Sequence, residues 1–284
     1  MALVPITELL KKAEEGGYAV GAFNCNNMEI VQAIIAAAEA ERSPVIMQAS
    51  QGAIKYAGLE FITSMAKVAA ESATVPVALH IDHGTSFEQV MQCIRSGFSS
   101  VMIDGSKLPL NENIAITKKV IDVAHAVGVS VEAELGKIGG TEDDIHVDAK
   151  DAFFTNPEEA RIFVQETGVD ALAIAIGTAH GQYKGIPELD FPRLEKIRSL
   201  VNCPIVLHGS SGVPDEAIKK AITLGVRKVN IDTNIREAFV EACRQVLNKD
   251  AKEIDPRKVL GPARDAATAV IREKIRVFGS NGKA

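Results

Sequence analysis

Eight short runs of apolar and β-branched residues recur along the chain, and a longer stretch with helical periodicity follows most of them. Near-continuous apolar character is typical of strands buried on both faces, as in a parallel sheet. The longer stretches carry apolar residues three and four positions apart, as at Ile30, Ile34 and Ala37, which predicts amphipathic helices. The predicted strands are Ala19–Phe23, Val45–Ala49, Val77–Asp82, Ser100–Asp104, Val129–Leu135, Ala171–Gly177, Pro204–His208 and Arg227–Asp232.

Capping residues mark where several of the predicted helices begin and end. Ser, Asn and Pro favour helix starts, and glycine favours the left-handed conformation in which many helices end. The start signals are Thr85-Ser86, Asn156-Pro157 and Pro214-Asp215, and the stop signals are Gly97, Gly128, Gly168 and Gly225. Because right-handed crossovers place every helix on the outside of one sheet, eight strand–helix units predict an α/β fold, the (β/α)8 TIM barrel.

Two segments exceed what a minimal barrel requires. Gly136–Thr155 is long, polar and glycine-bearing where a short connection would suffice, which predicts a functional loop or lid. Ala251–Gly279 adds a C-terminal helix after Asp255-Pro256. The chain shows no Pro/Ser-rich linker and no shift in composition, so residues 1–284 are predicted to form one domain.

Composition and charge exclude several classes of function. The 284 residues are 46% hydrophobic and carry a formal net charge of -6, without a basic stripe for a nucleic-acid backbone. No window approaches the ~20 apolar residues of a membrane span, so we expect a soluble, cytoplasmic protein. The cysteines form no C-x-x-C pair, which indicates reduced thiols rather than disulfides or a structural zinc site. They are Cys25, Cys93, Cys203 and Cys243.

Three histidines follow different predicted strands, where the active sites of such barrels form. Closing the barrel would bring His83, His180 and His208 together around one axis. Three neutral imidazoles with an open coordination position are typical of catalytic zinc, or of a related divalent metal. No local spacing supports this hypothesis. It depends on the barrel, since an isolated histidine is more often a hydrogen-bonded structural residue.

Carboxylates also occupy the predicted strand ends. Asp82 precedes His83 directly, so its carboxyl group could act as an acid or base, or could simply orient a ligand. Asp104 and Glu134 offer hard oxygen ligands for a second or alternative metal position. The alternative role for both is to form hydrogen bonds with the histidines.

Glycine-rich strand ends late in the chain indicate a phosphate site. Gly209-Ser210-Ser211-Gly212 offers unhindered backbone N–H groups and two hydroxyls, and the segment from Asn230 to Thr233 leads into a predicted helix. Helix N-termini attract phosphate, and barrels of this type often bind it after their last two strands. Such turns also serve merely as connectors, and this one lacks the Walker A pattern.

Six ordered motifs, spread over nearly the whole chain, resemble the class II, metal-dependent fructose-bisphosphate aldolases. They are Asp82-His83, Glu134-Leu135-Gly136, Gly139-Gly140-x-Glu142-Asp143-Asp144, Gly177-Thr178-Ala179-His180-Gly181, His208-Gly209-Ser210-Ser211-Gly212 and Asn230-Ile231-Asp232-Thr233. The resemblance implies reversible aldol cleavage of fructose 1,6-bisphosphate to dihydroxyacetone phosphate and glyceraldehyde 3-phosphate, a step of glycolysis and gluconeogenesis. It also implies Zn²⁺ on His83, His180 and His208, with Asp104 and Glu134 serving a second or alternative metal position.

The same resemblance implies roles for further residues. Asp82 would accept and return the proton of the C4 oxygen, and Glu142 on the mobile loop would move the C3 proton. Lys184 would help to neutralise phosphate charge, and Arg257 would reach the distal phosphate from a neighbouring subunit of a homodimer or homotetramer. A monovalent cation, Na⁺ or K⁺, would bind beside the substrate. The other implied substrate-binding residues are Asn24, Ser50, Gly181, Gly209, Ser210, Ser211, Asn230, Ile231, Asp232 and Thr233.

Two alternatives remain open at the level of sequence. Tagatose 1,6-bisphosphate aldolases look very similar and their substrate differs only at C4. Asp232 favours fructose, since the tagatose enzymes often lack an acid at the matching position. A non-catalytic barrel that binds sugar phosphate is the other alternative, but it would have no physical need to keep Asp82, Glu142 and three histidines.

Overall fold

Eight parallel strands close a barrel in a computed structural model that describes residues 3–142, 145–147, 153–183 and 185–284. In chain order the strands are β1 (Val20–Asn24), β2 (Val45–Ser50), β3 (Val77–Gly84), β4 (Ser100–Ile103), β5 (Ser130–Leu135), β6 (Gly139–Glu142), β7 (Ile145–Val147), β8 (Ala171–Ile174), β9 (Ala179–His180), β10 (Ile205–Leu207) and β11 (Val226–Ile231). Neighbours around the barrel are β1, β11, β10, β8, β5, β4, β3 and β2, which confirms the predicted (β/α)8 architecture.

The helices surround the barrel, and several begin at the predicted capping residues. The helices are α1 (Ile6–Gly16), α2 (Met28–Glu41), α3 (Gln51–Ala57), α4 (Leu59–Ser72), α5 (Phe87–Ser96), α6 (Leu110–Ala126), α7 (Pro157–Thr167), α8 (Phe191–Leu200), α9 (Asp215–Thr223), α10 (Thr233–Lys249) and α11 (Pro256–Phe278). Side-chain oxygens of Ser86 and Asn156 accept hydrogen bonds from the first turns of α5 and α7, whereas Pro214 supplies no such bond to α9. None within the described ranges combines the length and apolar character that a bilayer crossing requires.

Helix α1 closes the end of the barrel at which the strands begin. Its Leu9 and Leu10 are fully buried in an apolar cluster with the barrel-lining Ile46 and Val206. The backbone N–H of Ile6 donates to the Ser130 hydroxyl at the first residue of β5. Because this end is sealed with apolar side chains, the barrel is open to polar ligands at the carboxyl ends of its strands.

The sixth predicted strand, Ala171–Gly177, is wrong in its length because the barrel strand ends at Ile174. Past that point the backbone finds partners outside the barrel ladder. The N–H of Ala175 donates to the Thr155 hydroxyl at 2.8 Å, and the carbonyl of Ile176 accepts from the N–H of Asp190 at 2.8 Å. With these bonds the chain leaves the barrel wall after Ile174 and turns towards the site, where Ala179 and His180 form the short strand β9.

The predicted loop at Gly136–Thr155 contains two short strands, β6 and β7, which pair antiparallel. Strand β6 also runs parallel to β9, with Gly139 opposite Ala179 and Gly140 opposite His180. The predicted loop therefore contains regular strand structure in its first half. Its backbone bonds go to the strand that carries a candidate metal ligand.

Candidate active site

Strand β3 delivers two adjacent functional residues to the inside of the barrel, although side chains on a regular strand alternate between faces. Its pairing with β4 shifts by one residue between Ile81 and Gly84. Within this bulge His83 adopts a left-handed φ of 51°. Such an extra residue re-aims a side chain. Both Asp82 and His83 are consequently buried at the site, with exposed fractions of 0% and 4%.

The three predicted metal ligands converge, as the barrel requires. Ring centroids lie 4.7 Å apart for His83 and His208, 5.1 Å for His83 and His180, and 6.1 Å for His180 and His208. Each ring offers one nitrogen to a group in which all ligand atoms lie within 4.8 Å of one another. All three side chains are buried, so an ion held there would be screened from bulk water.

The hydrogen bonds of the imidazoles fit a metal centre. His83 Nδ1 lies 2.9 Å from Asp104 Oδ2, and His208 Nε2 lies 2.8 Å from Glu132 Oε1. The remaining nitrogens, His83 Nε2 and His208 Nδ1, face each other at 3.0 Å and must share a proton in this arrangement. Carboxylates that bind the outer nitrogen of a ligating histidine fix its ring and tautomer. A divalent cation would take the place of the shared proton, so the donor set suits one.

A second group of possible ligands adjoins the first and consists of His83, Asp104 and Glu134. Burial would raise the pKa of Asp104, but the hydrogen bonds of its carboxylate with His83 and Ser106 bring that pKa below its usual range. Burial and the charge of Asp104 raise the pKa of Glu134 well above its usual range. Within the described residues Glu134 Oε2 makes no hydrogen bond. A cation at this position would favour ionised Glu134 and give that oxygen a partner.

Asp82 is held by three side-chain amides. Its Oδ2 accepts hydrogen bonds from Asn24 Nδ2 and Gln48 Nε2, both at 3.0 Å, and its Oδ1 accepts from Asn230 Nδ2 at 3.2 Å. Gln48 Nε2 also donates to Asn24 Oδ1 at 2.7 Å. These donors aim and stabilise the carboxylate without neutralising it. Sequence reasoning missed Gln48, although a glutamine inside an otherwise apolar strand was a usable signal.

Glu132 and Lys228 form an ion pair in the barrel interior beneath the histidines. Both side chains are fully buried, with Lys228 Nζ 2.9 Å from Glu132 Oε2. Burial would raise the pKa of Glu132, but the charge of Lys228 and the hydrogen bond with His208 lower it far below its usual range. Sequence reasoning assigned neither residue a role. Charged residues inside otherwise apolar strands were the signal.

The predicted phosphate residues line one small cavity next to His180, as expected from their strand ends. At its rim the Ser211 hydroxyl accepts a hydrogen bond from the N–H of Asp232 at 3.3 Å. The Tyr183 hydroxyl accepts from the N–H of Ala179 and donates to the carbonyl of Gly209, at 2.6 and 2.7 Å. Burial raises the pKa of Tyr183 to about 12, so this donor stays protonated. The lining residues are His180, Gly181, Gly209, Ser210, Ser211, Asn230, Asp232 and Thr233.

Other predicted residues lie apart from this cavity. The Ile231 side chain is buried in the apolar core, which leaves its backbone as the part able to meet a substrate. The Ser50 hydroxyl accepts a hydrogen bond from Ala53 at the start of α3. Arg257 is 91% exposed at the start of α11 and is ion-paired with Asp255. Lys184 and the side chain of Glu142 lie outside the described part of the structure.

Comparison with known proteins agrees with this geometry. Residues 4–283 match the model of the family described as fructose-bisphosphate aldolase class-II. The chain is 51% identical to fructose-bisphosphate aldolase of Thermus caldophilus, over 99% of this chain and 100% of that one. It is 50% identical to the Geobacillus stearothermophilus fructose-bisphosphate aldolase, over 100% and 99%.

The solved structures extend the likeness to the whole fold. The crystal structure of the YdjI aldolase from Escherichia coli K12 superposes with a TM-score of 0.87, at 36% identity and 99% coverage of both chains. The chain belongs to the class II fructose-bisphosphate aldolases, the metal-dependent carbon–carbon lyases that the sequence motifs indicated.

Proposed function

We propose that this aldolase reversibly cleaves fructose 1,6-bisphosphate into dihydroxyacetone phosphate and glyceraldehyde 3-phosphate, with Zn²⁺ held by His83, His180 and His208. The observation that carries the proposal is the group of three buried imidazoles, whose ligand atoms lie within 4.8 Å of one another. Asp82 lies next to His83 on β3 and is buried in the same barrel interior. When bound, the cation supplies a Lewis acid that stabilises negative charge on substrate oxygens.

Side chains of the protein carry out the proton transfers and position the metal ligands. Asp82 takes the proton of the C4 hydroxyl during cleavage and returns it during condensation, and its amide donors keep the carboxylate aimed. Glu142 moves the proton at C3. Asp104 orients His83, and together with Glu134 it offers a second metal position.

The cavity beside His180 binds the phosphate of the dihydroxyacetone phosphate half. Gly209, Ser210 and Ser211 offer backbone N–H groups and hydroxyls there, and α10 begins at Thr233 with its N-terminus at the cavity. Helix N-termini favour anions. We assign Lys184 and a monovalent cation, Na⁺ or K⁺, to the same half of the substrate, as the family likeness suggests.

Asp232 supports fructose as the preferred substrate. Its side chain is buried at the cavity, and its Oδ2 lies 2.7 Å from Arg236 Nη2. This ion pair fixes the carboxylate at the mouth of the barrel.

The test of substrate preference is to offer fructose and tagatose 1,6-bisphosphates to the zinc-loaded protein. We expect a higher kcat/KM for fructose, and equal or reversed values would contradict the proposal.

Metal removal tests the chemistry. Exhaustive chelation should abolish cleavage, and Zn²⁺ should restore it. Borohydride added with substrate should trap no covalent adduct, because the buried Lys228 is committed to Glu132. Full turnover of the metal-free protein, or a reduced adduct on a lysine, would overturn the metal mechanism.

We further infer that residues 1–284 form one cytoplasmic domain that assembles as a homodimer or homotetramer, with Arg257 serving the site of a neighbour. The exposure of Arg257 supports this. Mixing Asp82→Asn and Arg257→Ala subunits provides the test, because a hybrid dimer contains one site with both residues intact. Activity should return on mixing, and inactive hybrids of confirmed mixed composition would refute shared sites.

A further inference from the structure

Lys228 lies on β11 with its side chain fully buried inside the barrel. Its ammonium group contacts Glu132 Oε2 at 2.9 Å and Oε1 at 3.3 Å, and it donates to Asn230 Oδ1 at 2.8 Å. Removing an ammonium group from water is costly, and apolar residues of similar volume often stabilise a core at least as well. Filling space therefore does not account for a lysine at this position.

The first path of contacts from Lys228 runs through Glu132 to the metal ligand His208. Glu132 spans the two groups, because its carboxylate pairs with Lys228 and its Oε1 also binds His208 Nε2 at 2.8 Å. An ionised Glu132 can only accept, so His208 must carry its proton on Nε2. That tautomer leaves Nδ1 as the lone-pair nitrogen on the side of His83, where the metal would bind.

The second path of contacts runs through Asn230 to Asp82, the proposed acid–base group. The Asn230 amide has one acceptor oxygen and one donor nitrogen, and Lys228 binds the oxygen. This contact fixes the orientation of the amide, so that Nδ2 donates to Asp82 Oδ1 at 3.2 Å. If the amide turned over, its oxygen would face the carboxylate and repel it.

We propose that Lys228 is a positioning residue that orients the metal ligand His208 through Glu132 and the carboxylate of Asp82 through Asn230. One buried cation thus sets the geometry of both halves of the site. The inference rests on the proposed function for the roles of His208 and Asp82. It adds that the working orientation of each residue depends in part on the ammonium group of Lys228.

The test of the first path is zinc affinity. Lys228→Met keeps an unbranched side chain of similar length and removes the charge. We expect it to bind Zn²⁺ about tenfold more weakly in competition with a chromophoric chelator, the lower end of the effect of losing an outer partner of a ligand, because Lys228 acts on His208 through Glu132. The visible absorption of the Co²⁺-loaded variant should also shift, because the field at the ion changes. Ser130→Ala, a buried change at the sealed end of the barrel, is the matched control and should change neither.

The test of the second path is a double-mutant cycle on kcat at saturating Zn²⁺. Lys228→Met should lower kcat at least tenfold in the wild-type background. On an Asp82→Asn background it should add little, because the carboxylate that it orients is gone. Full additivity would show that Lys228 does not act through Asp82.

The outcomes separate this proposal from the proposed function. Failure of the wild-type protein to bind Zn²⁺ would defeat the proposed function, whereas a folded Lys228→Met with wild-type zinc affinity and Co²⁺ spectrum would defeat only this inference. If the single variant does not fold, Lys228→Met combined with Glu132→Gln leaves no unpaired charge and is tested in the same cycle with Asp82→Asn, with Glu132→Gln alone as the reference for kcat. Should that also fail, ring ¹⁵N shifts of the zinc-loaded wild-type protein decide, since zinc on Nε2 of His208 with a proton on Nδ1 would overturn the proposal.

Discussion

Gly209 is the position at which a single added methyl group should disturb the metal site. The residue adopts a φ of +60° directly after His208. A Cβ there would lie 2.6 Å from the carbonyl oxygen of Ala179 and 2.7 Å from its carbonyl carbon. Both atoms belong to the backbone that leads into His180, so the clash cannot be relieved by turning a side chain.

The size of the effect follows from two contributions. A left-handed conformation costs a non-glycine residue roughly 1–2 kcal/mol. In addition, the two segments must separate by about 0.8 Å to reach an ordinary contact of 3.4 Å. Coordination distances tolerate about 0.2 Å, so a displacement of this size next to His180 should weaken zinc binding. We expect a loss of about tenfold or more, which corresponds to ~1.4 kcal/mol.

Gly168→Ala is the matched control for Gly209→Ala. Gly168 has a φ of +65° at the end of α7, and a Cβ there meets nothing within 4 Å. Both variants should lose the stability that a left-handed residue costs, measured by denaturant unfolding, but only Gly209→Ala should lose zinc affinity and raise the KM for sugar phosphate. If the two variants behave alike in zinc competition and in KM, the close approach to Ala179 is not what requires glycine.

Three further changes test other parts of the molecule. Asp82→Asn should retain Zn²⁺ and sugar-phosphate binding while kcat falls at least ~10²-fold, and loss of zinc would instead make the residue part of the metal site. Glu142→Gln should suppress exchange of the C3 proton of dihydroxyacetone phosphate with solvent deuterium at unchanged zinc content. Exchange at the wild-type rate would show that Glu142 does not move this proton. Leu10→Ala should cost about 2–5 kcal/mol of unfolding free energy with kcat unchanged, since it opens a cavity at the sealed end. A fall in kcat without a loss of stability would contradict that view of α1.

Much of the site could be predicted because it depends on strand ends. Once eight buried strands close a barrel, residues that follow different strands must converge, and His83, His180 and His208 do so. Apolar runs located these strands to within a few residues. The error at the sixth strand arose because its final residues are apolar but bind Thr155 and Asp190 rather than a neighbouring strand.

The rest depended on contacts that a linear pattern does not encode. Periodicity could have revealed α1, but not that it covers the barrel end. The pairing of Gly140 with His180 depends on where two long connections meet in space. Gln48 and Lys228 stand out as polar residues in apolar strands, yet only three-dimensional proximity shows that they serve Asp82 and Glu132. The proton-shuttling role of Glu142 and the single-domain boundary stay predictions.

The extra residue in β3 makes this strand sensitive to changes in its length. Between Ile81 and Gly84 it advances three residues while β4 advances two, from Val101 to Ile103. Losing one residue there would restore regular alternation and send one of the two neighbouring functional side chains to the outer face. Substitutions along β3 can therefore be gradual in effect, whereas a one-residue deletion would separate acid–base and metal-binding functions in a single step. Sequence drift at this strand is consequently constrained in residue count as well as in residue type.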